Sequence, residues 1–212
     1  LKNLAVLFDL DGTLIDSLAD ICGAINRVRQ LHGFPERPIT NLRTYIGKGV
    51  EYLIQGSFPE YPESRHAEIV EEYRAFYLRE PHHGGRVFPG VPEALARLRA
   101  EGIKLAIATN KSSLVAEKTL EYYLPNFPFE LVAGPERVSR RKPDPAHLWE
   151  PLAKMGIAPQ DAWFVGDDPV DEQCARAAGV RFLGAIYGIG GVQVPDSERL
   201  TQFSDLPAKL GL

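Results

Sequence analysis

The chain has 212 residues, of which 44% are apolar and 25% charged, and its formal net charge is −4 at pH 7. That length accommodates one large domain, or one domain with a smaller insertion, around a substantial core, and the mild acidity argues against a nucleic-acid partner. The longest early apolar stretch, at 4–8, is too short for a signal segment or a membrane span, so a soluble, cytoplasmic chain with no membrane partner is expected.

The first strand is expected at 4–8, "LAVLF", and it runs directly into Asp9, Asp11 and Gly12. From 16 to 86 no strand pattern appears; helical periodicity covers 17–31, 41–54 and 63–79, and the polar "REPHHGGRVFPG" at 79–90 reads as a return linker with His82 and His83 in solvent. Beyond it, helices at 92–101, 112–122, 145–155 and 170–178 alternate with apolar runs at 103–109, 129–134, 162–166 and 180–186. Continuous apolar runs suit strands covered on both faces, and strand-helix alternation implies a parallel sheet with right-handed crossovers. Gly102, Gly156 and Gly179 follow three of these helices as C-terminal caps. The expected fold class is therefore α/β, a Rossmann-like parallel-sheet core at 1–15 and 87–212 with a helical unit inserted at 16–86. "GIGG" at 188–191 reads as a flexible strand exit, and Cys22 and Cys174 as buried free thiols rather than a disulfide.

In an open parallel sheet the residues just past the strand C-termini share one crevice. Here those residues are Asp9 and Asp11, then Thr109 and Asn110, then Lys142 of "RRKPDP", then Asp167, Asp168 and Asp171 of "GDDPVD". Two carboxylates about 4 Å apart repel by about 4 kcal/mol at an effective dielectric near 20, so a hard divalent cation belongs among them. Oxygen donors with room for water and phosphate suit Mg²⁺ better than Ca²⁺, and the absence of His and Cys speaks against zinc. With a cation bound, one carboxylate of the Asp9/Asp11 pair can attack phosphorus while the other, protonated, serves the leaving oxygen. Thr109 would bond a phosphoryl oxygen and Lys142 would offset charge on the nucleophile and the phosphoryl group. Asp168 reads either as part of the metal environment or as the N-cap of the next helix.

"DLDGT" after an apolar strand, a strand-ending "TNK", the "RKPDP" lysine and "VGDDPVD" before "CARAAG" resemble the four motifs of the haloacid dehalogenase superfamily, in their order and approximate spacing. The resemblance implies that Asp9 is a nucleophile forming an aspartyl-phosphate and that Asp11 is the general acid and then base. It also implies Mg²⁺ held by Asp9, by the backbone carbonyl of Asp11, by Asp167 and, through water, by Asp171. Within the superfamily the insertion resembles the helical cap of phosphoglycolate phosphatases, with "RTYIGKGVEYLI" at 43–54 similar to a glycine-bearing cap element. Their usual Ser is Asp168 in this chain. The expected activity is hydrolysis of a small phosphorylated metabolite, phosphoglycolate-like, by a monomer or homodimer. Asn110, Lys48 and Gly49 are expected at the substrate, although a glycine-flanked lysine such as Lys48 also reads as a plain loop residue. The alternatives are a phosphomutase on the same scaffold and a non-catalytic phosphate-binding module.

Overall fold

The computed structural model describes residues 4–79 and 84–212; the expectation for His82 and His83 lies outside the described residues. Six parallel strands form the main sheet: β1 (Ala5–Phe8), β4 (Lys104–Ala108), β5 (Leu131–Ala133), β6 (Ala162–Gly166), β7 (Arg181–Ala185) and β8 (Arg199–Leu200), in the spatial order β5-β4-β1-β6-β7-β8. The chain fills one side of β1 with β4 and β5, then crosses to the other with β6. That reversal makes the C-terminal end of β1 the topological switch point, where ligands bind in open α/β sheets. The fold class is the expected one.

Alternation along the strands splits the core into two layers. Val6 and Phe8 of β1 face α5 (Val91–Ala100), α6 (Ser113–Tyr123) and α9 (Leu206–Lys209), together with Leu95, Leu98, Leu120 and Phe203. Ala5 and Leu7 face the other way, toward Leu148, Leu152 and Met155 of α7 (Ala146–Met155) and Cys174, Ala175 and Ala178 of α8 (Pro169–Ala178). The small β8 strand, seated beside Gly184 and Ala185, was invisible as a pattern because two residues carry no periodicity.

The inserted segment contains α1 (Leu18–Leu31), α2 (Ile39–Leu42), α3 (Val50–Ser57) and α4 (His66–Arg79) around an apolar cluster of its own, built on Ile25, Val28, Ile54, Phe58, Ile69 and Tyr77. The two passages between this unit and the sheet pair as a short antiparallel ribbon, β2 (Ile15–Asp16) with β3 (Arg86–Val87). The helix expected at 41–54 is broken. After α2 a single 3₁₀ turn at Arg43–Tyr45 gives way to a loop, and α3 starts only at Val50. Gly47 and Gly49 take φ of +96° and +98°, values that end a right-handed helix and that glycine adopts without strain.

Candidate active site

The strand ends deliver Asp9, Asp11, Thr109, Lys142, Asp167 and Asp171 to one place. Asp9, Asp167 and Asp171 are buried, and one carboxylate oxygen from each lies within 4.8 Å of the other two. Lys142 Nζ sits among them, 2.9 Å from Asp9 Oδ1 and 2.7 Å from Asp171 Oδ1, and donates to the Ala108 carbonyl at 3.0 Å. Burial opposes a charged ammonium there, but the Asp171 and Asp9 carboxylates outweigh it and raise the Lys142 pKa. Burial likewise pushes the Asp171 carboxyl up to about 7, even against the lowering effect of Lys142. Asp167 is pushed up well above the carboxylate range by burial and by Asp9 and Asp171.

Asp167 is held by elements remote in sequence. Its Oδ1 accepts from Thr13 Oγ1 at 3.2 Å, and its Oδ2 accepts from the backbone N–H groups of Ile189 at 2.8 Å and Gly190 at 2.7 Å. The glycines around it permit this. A Cβ on Gly12, whose φ is +84°, would lie 2.1 Å from Asp167 Oδ2, and one on Gly188 would lie 2.4 Å from Asp167 Cβ. "GIGG" is thus a backbone cradle for a site carboxylate, where the sequence suggested a flexible exit. Glycines at a strand's C-terminal end were the available signal, and the strand lies beside the one carrying Asp167.

The donor set fits a hard divalent cation. Three buried carboxylates face one ammonium, leaving an excess of negative charge in a buried setting, and all the donors are oxygens. Asp171 already accepts from Lys142 and, through Oδ2, from the Asp168 backbone N–H at 3.0 Å, so both of its oxygens are engaged. Asp168 resolves as an N-cap: its Oδ1 accepts from Val170 N at 2.8 Å, and with Asp171 it completes a capping box on α8.

Asp11 meets a different set of partners. Ser17 Oγ donates to its Oδ1 at 2.5 Å, and Lys111 Nζ lies 2.9 Å and 3.0 Å from its two oxygens and 3.1 Å from the hydroxyl of Tyr77 on α4. Neither Lys111 nor Tyr77 was picked out by sequence reasoning. Lys111 stands in the quoted "TNK", but Tyr77 reads as one more apolar position of an amphipathic helix. Thr109 is buried, and its Oγ1 accepts from Lys111 N at 3.2 Å. Asn110 spends its amide on protein: Nδ2 donates to the carbonyls of Lys142 and Gly47, and Oδ1 accepts from Lys142 N.

Two openings meet at Asp9 and Asp11. One lies toward the helical unit, between Tyr45, Leu53, Tyr73 and Arg74 on one side and Thr109 and Lys111 on the other; Asn110 and Gly49 also line it. The other runs along Asp167, Asp168 and Ile189 and is lined by Lys48, whose ammonium sits 4.9 Å from the Tyr52 ring centroid. The glycines of "GKG" let the loop reach the sheet unit, since a Cβ on Gly47 would lie 2.7 Å from Asp168 Oδ2 and one on Gly49 2.8 Å from Arg141 Nη1. No helix among the described residues is long and apolar enough to cross a membrane.

Comparison with known proteins agrees with this geometry. A family model described as haloacid dehalogenase-like hydrolase matches residues 6–185. A phosphoglycolate phosphatase of Aquifex aeolicus is 33% identical over 203 residues, covering 95% of this chain and 93% of its own. One of Pseudomonas putida is 34% identical over 201 residues, covering 91% of this chain and 73% of its own. The crystal structure of a predicted phosphoglycolate phosphatase from Haemophilus somnus superposes with a TM-score of 0.89 at 26% identity, over 100% of this chain and 99% of that one.

Proposed function

Since the chain belongs to the haloacid dehalogenase-like hydrolases and is a phosphatase of that family, we propose that it is a Mg²⁺-dependent phosphomonoesterase that works through an aspartyl-phosphate on Asp9 and takes a phosphoglycolate-like substrate. The observation that carries this reading is the convergence of Asp9, Asp167 and Asp171 on one point with Lys142 bridging two of them. Asp9, Asp167, the Asp11 carbonyl and, through water, Asp171 would hold the ion, which supplies positive charge to offset the phosphoryl oxygens.

The residues divide the work. An Asp9 oxygen attacks phosphorus, the new oxygen–phosphorus bond forms as the ester bond breaks, and Asp11 gives its proton to the departing alcohol. Water then attacks the phosphorus of the acyl phosphate, Asp11 takes the water's proton, and inorganic phosphate leaves with the Asp9 carboxylate restored. Thr109 bonds a phosphoryl oxygen, and Lys142, tethered to the Ala108 carbonyl, places its charge between nucleophile and phosphoryl group. The helical unit, residues 16–86, serves as a cap over the crevice, and its contacts through Gly47 and Tyr77 would form as it closes. Lys48 and Gly49 belong to the substrate-facing edge of that cap, and Asn110 fixes the cap loop relative to Lys142.

The test is a panel of phosphomonoesters with Mg²⁺, followed by rapid quench with ³²P-labelled substrate. Label on wild-type protein that hydroxylamine removes, and that Asp9→Asn lacks, supports the acyl-phosphate route; turnover by Asp9→Asn well above background refutes it. Release of inorganic phosphate separates this reading from a mutase, which would return an isomeric phosphate ester.

A further inference from the structure

The opening on the cap side of Asp9 and Asp11 is lined by two cations, Lys111 and Arg74. Arg74 is turned toward acids of the cap, with Nη1 2.7 Å from Glu71 and Nη2 3.9 Å from Glu51. Lys142 is engaged by Asp9 and Asp171, and Lys48 lines the other opening. Lys111 is the cation that touches Asp11. Its side chain is only 8% exposed, its ammonium lies 4.4 Å from the Tyr77 ring centroid and 3.1 Å from the Tyr77 hydroxyl, and Tyr77 is itself fully buried. A lysine held in this way has already lost its water and its rotamer freedom.

We propose that Lys111 is the residue that selects the substrate's leaving group, by receiving a carboxylate placed one carbon from the ester oxygen. This deepens the phosphomonoesterase reading and rests on it; the substrate class it names is the phosphate esters of 2-hydroxy acids. To pass a proton, Asp11 must come within about 3 Å of the ester oxygen. Lys111 Nζ is 2.9 and 3.0 Å from the two Asp11 oxygens, so the ammonium stands within roughly 6 Å of that ester oxygen. In 2-phosphoglycolate the carboxylate carbon is two bonds from the ester oxygen, inside this radius. An ammonium has three donors and can accept a new oxygen partner while keeping one on Asp11, and because Tyr77 has already positioned it, little ordering entropy is left to lose. A longer acid keeps its carboxylate inside the same radius but must order one more rotatable bond to place it on the ammonium, and so binds there less well.

The test compares kcat/KM on 2-phosphoglycolate, on ethyl phosphate, which has a methyl in place of the carboxylate, and on 3-phosphooxypropionate, which has one more carbon. Wild type should prefer 2-phosphoglycolate over ethyl phosphate by at least about tenfold, and over 3-phosphooxypropionate by a smaller factor of about threefold. Lys111→Met touches Asp11 as well and should slow all three, so the readout is the ratio: the preference over ethyl phosphate should shrink to about threefold or less, and Lys111→Arg should restore much of it. Equal rates on the three esters in wild type, or an undiminished preference in Lys111→Met, overturn the proposal while leaving the phosphatase reading intact. If wild type releases phosphate from none of them nor from p-nitrophenyl phosphate, the phosphatase reading falls and takes the proposal with it. Should Lys111→Met fail to fold, the same ratio is read in Lys111→Gln, which keeps a polar donor there without the charge, and an undiminished preference in it overturns the proposal.

Discussion

Gly12 offers a direct measure of how tightly the site is built, and Gly179 is its control. Both have positive φ, +84° and +70°, but a Cβ on Gly179 would meet nothing within 4 Å, whereas one on Gly12 would lie 2.1 Å from Asp167 Oδ2 and 2.7 Å from Ile189 Cγ1. Alanine in the left-handed region costs about 1–2 kcal/mol at either site, partly offset by a stiffer unfolded chain. Gly179→Ala should therefore destabilise by about 1 kcal/mol. At Gly12 the Asp167 carboxylate must also swing away, and it gives up its bonds to the Ile189 and Gly190 N–H groups. Hydrogen bonds to an uncharged carboxyl contribute about 0.5–1.5 kcal/mol each, so with the side chain displaced as well Gly12→Ala should lose about 3 kcal/mol. Urea unfolding followed by tryptophan fluorescence, with both variants in EDTA, gives the two values on one scale. If Gly12→Ala falls within about 1 kcal/mol of Gly179→Ala, the carboxylate is not clamped as described.

Asp11→Asn should keep the fold and lose about 10²–10⁴ in kcat, with the deficit shrinking for esters of acidic alcohols that leave without a proton; an equal deficit for every leaving group would remove Asp11 from the acid role. EDTA should silence turnover and Mg²⁺ restore it, with Ca²⁺ a poor substitute because its looser, higher coordination disturbs the attack geometry; full rates in the metal-stripped enzyme would refute the ion's place among Asp9, Asp167 and Asp171. His147 is fully buried, with Nε2 3.2 Å from the Ala133 carbonyl, and burial, aided by the charge of Lys142, lowers its pKa to about 4. A depressed histidine leaves the folded state neutral while the unfolded chain takes up a proton below about pH 6.5, so stability falls between pH 6.5 and about 4. From pH 7 to pH 5 wild type should lose about 2 kcal/mol more than His147→Gln in urea titrations; parallel losses would mean that His147 is charged or exposed when folded.

Much of this was legible in the sequence because it is local. An apolar run five residues long followed by "DLDG" fixes a strand and the two acids beyond it, and each later strand end could be matched to a side chain by the parallel-sheet rule alone. Helices with a cap at one end and a glycine at the other were found to within a residue or two: 170–178 was expected and Pro169–Ala178 observed, closed by Gly179 at φ +70°. What escaped depends on approach between remote segments. The periodicity of 41–54 continues through Gly47 and Gly49, and only the need to pass close to Asp168 and Arg141 explains why the chain leaves the helix there. The cradle at Ile189 and Gly190 is 22 and 23 residues from the carboxylate it holds. Tyr77 and Lys111 are 34 residues apart and meet only when two units with separate cores pack together.

Asn110 ties those two units to the chemistry. Its amide pairs with Lys142 through both the backbone N–H, at 3.0 Å, and the carbonyl, at 3.2 Å, which fixes the segment from which the lysine reaches Asp9 and Asp171. The same nitrogen donates at 3.1 Å to the carbonyl of Gly47, in the cap loop. A side-chain amide shared between the lysine's backbone and the cap cannot rotate to serve one without losing the other. Displacing the cap loop would exchange the bond to Gly47 for one to water beside the segment that carries Lys142, a net cost of about 0.5–1.5 kcal/mol. On the acid side Lys111 makes the corresponding link from Asp11 to Tyr77. On the proposed mechanism nucleophile and acid would each stand one residue from a contact with the helical unit, so closing that unit and completing the reactive geometry would be coupled.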